Sequence, residues 1–191
     1  MRLAVLLATM LATACSAQPP ASSATPASSS PATSSATAVG RAGDATLYLY
    51  PEVVAAYPPG DRGAYVVTPA DEDDRRAVIA LVEASGDDPD DVIGEGFVVR
   101  AGAAPARSGR RVEPLQPAGR RGPLGDGAEI TVHIDLFAGD RAATAPAVQT
   151  WLTGRGARVL AVHAGGLEVK TTPAIATEAA RLSAVRWIER R

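Results

Sequence analysis

The segment ITVHIDLF, residues 130–137, constrains the fold of this chain more than any other. Ile130, Val132, Ile134 and Leu136 point one way, while Thr131, His133, Asp135 and Phe137 point the other. That period of two is met by a strand with one buried face. TAPAVQTWLTGRG follows, in which Thr144 can cap a helix, Pro146 sits in its first turn, and Val148, Trp151 and Leu152 share a face. Gly154 and Gly156 end that helix. ARVLAVHA and LEVKTT read as two strands joined at Gly165-Gly166, a pair that tolerates the positive φ of a tight hairpin. Thr172-Pro173 opens a second helix with Ile175, Ala179 and Leu182 at helical spacing, and VRWIE is the last strand.

The resulting order is strand, helix, strand, strand, helix, strand. It predicts an α+β chain whose C-terminal domain, residues 129–191, is a ferredoxin-like βαββαβ unit. Both helices then lie on one side of a four-stranded antiparallel sheet. The other face, bearing His133, Asp135 and Phe137, is left to solvent or to a partner.

A smaller, partial α+β region is predicted at residues 46–101. TLYLY, AYVVT and EGFVVRAG read as strands, and Asp71 to Ser85 reads as a helix with Val78, Leu81 and Val82 on one face and Gly86 just past its end. The acidic run Asp71, Glu72, Asp73, Asp74 suits the positive end of a helix dipole. DDPDD at 87–91 lacks the glycine and final glutamate of a calcium loop, so no metal is expected. Residues 102–128, rich in Gly, Pro and Arg, read as a linker. A net charge of -2, with no aromatics interleaved among the arginines, argues against nucleic acid.

The front end reads as an export signal. MRLAVLLATMLATAC has one early charge, Arg2, then an apolar stretch too short to span a bilayer, closing on small residues. Leu11 to Cys15 resembles the lipobox of bacterial lipoproteins, which implies lipidation of Cys15 and a membrane anchor on residues 1–15. The alternative is an ordinary secretory signal cut near Ala17. Residues 16–45 are dominated by Pro, Ser, Thr and Ala and read as a disordered tether. The expected location is the bacterial cell envelope, or else the medium.

ITVHIDLFAG, GARVLAVHAGGLEVKTTP and LSAVRWIE together resemble the prodomains of secreted subtilisin-like serine proteases, and AYVVTPADEDDRRAVIALVEAS with GEGFVVRAG resembles an abbreviated first copy. The resemblance implies a peptidase-inhibitor-like module. Its open sheet face (His133, Asp135, Phe137) would contact a protease, and its tail (Arg186, Trp187, Ile188, Glu189, Arg190, Arg191) would run along the substrate cleft. In the family a catalytic domain follows. None of its Asp-Ser/Thr-Gly, His-Gly-Thr or Gly-Thr-Ser motifs occurs in these 191 residues.

No other catalytic pattern emerges. The two histidines, His133 and His163, fall in strands of one sheet, and no serine is marked as a nucleophile beside them. With a single cysteine and no spaced carboxylates they make a poor zinc site, so no cofactor is expected. The sequence therefore leads to a non-catalytic, exported protease-binding module whose partner is a separately encoded subtilisin-like protease. The alternatives are an envelope lipoprotein with a structural or general interaction role, and the remnant of a truncated protease gene.

Overall fold

The computed structural model describes residues 36–43, 45–90 and 92–191. Cys15, the expected signal and residues 16–35 of the expected tether lie outside them. The architecture is α+β, with three α-helices and antiparallel sheets.

The described chain opens with a hairpin, β1 (Thr37–Ala42) and β2 (Ala45–Leu49), with a bulge between Ala38 and Gly40. Residues 37–42 and Ala45, expected to end the tether, are therefore strand. Leu47 is buried in the core of the last domain, with Val39 and Leu49 packed against it. Three apolar side chains give the hairpin a surface to bury, which the preceding Ser/Thr/Pro stretch lacks. The hairpin is also sewn to the end of the molecule. Tyr50 donates its N–H to the Arg181 carbonyl, and Ser183 donates its N–H to that of Tyr48.

The first four-stranded sheet contains β3 (Gly63–Thr68), β4 (Val92–Ile93), β5 (Gly96–Ala101) and β6 (Arg111–Pro114), in the order β4-β5-β3-β6. Helix α1 (Glu72–Ser85) lies on one face. Asp71 caps it by accepting from the Asp74 N–H, and Gly86 ends it at φ 79°, a left-handed conformation that costs glycine little. Val78 and Val82 pack on Tyr65, Val67, Phe97 and Val99. Leu81, expected beside them, is 38% exposed, because it falls on the flank of the buried stripe.

The expected linker at 102–128 is a correction. Its residues 111–114 form β6, paired with β3, and Pro117–Arg120 make a 3₁₀ turn in which Arg120 is fully buried. Glycine and proline here shape tight turns between paired segments rather than a flexible spacer.

The second sheet contains β7 (Ile130–Leu136), β8 (Arg158–Val162), β9 (Gly166–Thr171) and β10 (Val185–Arg190), in the order β10-β7-β9-β8 and antiparallel throughout. Its inner residues, Ile130, Val132, Ile134 and Leu136, share one core with Val148, Trp151 and Leu152 of α2 (Arg141–Thr153) and Ala176 and Ala179 of α3 (Pro173–Ala179). Thr172 caps α3 as expected, accepting from the Ile175 N–H at 3.3 Å. α2 starts three residues before the expected cap, so Thr144 is a buried helical residue and Pro146 lies inside the helix. Proline offers no N–H to the Ala142 carbonyl, and Ala142 is exposed, where water serves instead.

Gly165 and Gly166 do not use the positive φ expected of them. Gly166 is required for a different reason. A Cβ there would overlap the carbonyl oxygen of Ile134 on β7.

Numbered within each sheet in chain order, both have the strand order 2-3-1-4, with a helix after the first strand. Where the second sheet has α3 between its third and fourth strands, the first has the loop 102–110.

Candidate functional site

The face of the second sheet turned away from the helices carries the residues of most chemical interest. Its positions follow from register. Glu189 of β10, His133 of β7 and Glu168 of β9 lie in one cross-strand row, and Trp187 lies opposite Asp135. A sheet alternates sides residue by residue, so the same period that buries Val132 and Ile134 brings these side chains out together.

Asp135 is the hub of this face. His133 Nε2 lies 3.0 Å from its Oδ1, and Arg186 Nη2 donates to its Oδ2 at 3.2 Å. His163, just past β8, sets its Nε2 3.8 Å from Glu168 Oε2, and the two imidazole rings are 6.1 Å apart. Lys170 pairs with Glu129 at the other end. Asp135, Glu168 and Glu129 each lie beside a basic or imidazole side chain, so the face is polar, and such partly exposed pairs add little to stability.

A histidine–carboxylate pair is half of a hydrolytic triad, but the nucleophile has to lie within reach. Among the described residues no hydroxyl hydrogen-bonds to His133 or His163. No group of three or more His, Cys, Asp or Glu among them is placed to hold a metal ion. What the arrangement offers is a flat, charge-patterned surface that can pair with complementary groups on another protein.

Of the three residues expected on this face, His133 and Asp135 are there. Phe137 is not. It follows β7 on the same side, but the first sheet covers that end, and the ring is 1% exposed against Ala64, Val98 and Leu115. Arg100 of β5 and Arg120 both lie over its ring, at 4.4 and 5.7 Å from the centre.

Residues 186–191, expected to trail as a tail, are mostly strand. Arg186, Trp187, Ile188, Glu189 and Arg190 belong to β10, and the Arg191 N–H donates to Thr131 O. Ile188 is fully buried in the core. Val185 and Ile188 both reach the core although they are three residues apart, because a bulge between Val185 and Trp187 shifts the register and turns Ile188 inward.

Sequence reasoning missed the buried polar cluster where the two sheets meet. Arg120 donates to the carbonyls of Leu115, Leu182 and Val185 and to the Tyr57 hydroxyl. The Tyr50 hydroxyl donates to Asp61, and Tyr57 donates to the Ala64 carbonyl. Burial pushes Asp61 above the usual carboxylate range and Tyr50 and Tyr57 above the usual phenol range. These groups come from three separate stretches of chain, so no local pattern announces them. Glu168 and Lys170, by contrast, were legible in the alternation of LEVKTT.

Comparison with family models, curated proteins and solved structures finds no match to this chain.

Proposed function

We propose that this chain is a non-catalytic, exported protein-binding module of the protease-prodomain kind, with the helix-free face of its second sheet as the docking surface. The reading takes β7 to β10 with α2 and α3 as a ferredoxin-like βαββαβ unit. The strand order β10-β7-β9-β8, with both helices contributing to one core, supports it. The repeated strand order of the first sheet supports treating that region as a shortened copy.

The observation that carries the proposal is the constellation His133, Asp135, Glu168 and Arg186 on one partly exposed sheet face, where His133 and Arg186 meet on Asp135 and His163 lies beside Glu168. The partner is a subtilisin-like protease. Inhibition of a purified subtilisin-type enzyme by the full chain, weakened at least about tenfold by Asp135→Lys with Glu168→Lys, is the expected result. A large molar excess that leaves the protease rate unchanged would refute it.

One observation favours a second reading, an envelope protein that binds a partner without inhibiting it. With Trp187 to Arg190 paired with β7, those residues are not free to enter a cleft. Protease binding without loss of protease activity, abolished by the same two substitutions, would select this reading over the first.

A further inference from the structure

β8 stands at the end of its sheet, and on its outer side no described strand pairs with it. Edge strands are usually protected by charge, proline or a covering loop. Here the edge carries two of the large apolar side chains most open to solvent, Leu160 at 44% and Val162 at 58% exposure.

The backbone at Val162 is open as well. His163 and Gly166 exchange both of their backbone hydrogen bonds, at 2.8 and 3.3 Å, which makes them a hydrogen-bonded pair across the hairpin. In an antiparallel ladder the neighbouring residue then turns its N–H and C=O away from the partner strand. Val162 is that residue, and its amide and carbonyl face outward.

Beside it, between the strand and α2, runs a groove of about 530 Å³ whose apolar wall is Val162, Ala142, Ala145 and Pro146. The small alanines and the ring of Pro146 leave room for an aliphatic side chain from an added strand. Arg141 lines the groove, and Arg158 is exposed at the start of the strand. Among the described side chains that line it there is no carboxylate.

We propose that the edge of β8 is a strand-addition site for an extended acidic peptide segment of a partner protein, one that carries a carboxylate on the same face as an aliphatic residue. The segment pairs with the Val162 backbone, places its aliphatic side chain against Ala145 and Pro146, and sets a carboxylate on the same face beside Arg141 or further along the strand toward Arg158. The basic rim selects against a second copy of this edge, which would bring its own Arg158 and Arg141 to the contact. The bulge that leaves Leu160 without a partner on β9 bends the edge, so the added strand is short. This surface is separate from the sheet face proposed above, and neither reading depends on the other.

The test is selection of short random peptides on the full chain, followed by fluorescence anisotropy with the winners. Enriched peptides should carry an Asp or Glu two residues, or a further even number of residues, from an aliphatic one and should slow amide exchange at Val162. Val162→Pro removes the outward N–H while leaving the β9 pairing intact, and should weaken them about tenfold. Should Val162→Pro fail to fold by circular dichroism, Arg158→Glu serves instead and should shift the preference from acidic to basic peptides. The proposal is overturned by a selection with no enrichment. It is also overturned by winners whose affinity is the same for every folded variant, or by self-association of the wild-type chain that Arg158→Glu abolishes.

Discussion

The guanidinium carbon of Arg100 lies 4.4 Å from the centre of the Phe137 ring. Arg100 belongs to β5 of the first sheet, and Phe137 leaves the end of β7 in the second, so the contact spans the two halves of the molecule. Both are buried, where a cation over an aromatic face is not screened by water. Phe137→Ala should therefore cost about 3–5 kcal/mol in urea unfolding, as large-to-small changes in a packed core do. A cost under about 1 kcal/mol would mean that the ring is not part of the junction.

Arg120 reaches both halves from its 3₁₀ turn, donating to Leu115 on one side and to Leu182 and Val185 on the other. Arg120→Met keeps the apolar stem but leaves those buried carbonyls and the Tyr57 hydroxyl without their donor. The expected loss is about 3–5 kcal/mol, the range for breaking a buried charged network by removing one partner. Amide exchange should quicken at both β6 and β10 in the same variant, and quickening on one side only would contradict the bridging role.

Gly166 and Gly156 separate two reasons for glycine. At Gly166 a Cβ would overlap the Ile134 carbonyl oxygen, a backbone atom that cannot swing aside. At Gly156 there is open space, but φ is 85°. Gly156→Ala should cost about 1–2 kcal/mol from left-handed strain alone. Gly166→Ala should cost more, about 3 kcal/mol, because strands β7 and β9 must move apart. Equal melting temperatures for the two variants would contradict the close approach.

Asp74 accepts hydrogen bonds from Arg110, which hold its carboxyl below the ordinary value of 3.8. A carboxyl that titrates lower in the folded than in the unfolded chain contributes stability that is complete above that ordinary value. The contribution is lost as pH falls through the depressed one. Asp61 has the opposite sign: buried and raised, it makes the fold less stable as pH climbs through the window just above 3.8. Comparing urea midpoints of wild type and Arg110→Ala from pH 6 to pH 2.5 isolates Asp74. The gap should be widest at pH 6 and should close on the acid side, whereas a gap constant with pH would assign Arg110 a role unrelated to that charge.

The local elements were written in the sequence. Alternation in ITVHIDLF placed β7 and assigned its faces, Asp71 and Gly86 bounded α1, and Thr172-Pro173 opened α3. Each depends on neighbours within a turn or a pleat, where chemistry and position are read together. His133 and Asp135 were recovered on the outer face for the same reason. The tertiary structure alone decided what covers a face once it is made. Phe137 has the parity of an exposed residue, yet it is buried, because a sheet from elsewhere in the chain comes to lie on it. Arg120 sits in a Gly/Pro-rich stretch that resembles a spacer, yet it is sealed between halves brought together by long-range pairing. The hairpin near residue 40 and the inward turn of Ile188 have the same origin. Periodicity specifies which side of a strand a residue faces, whereas burial depends on packing partners far away in the chain.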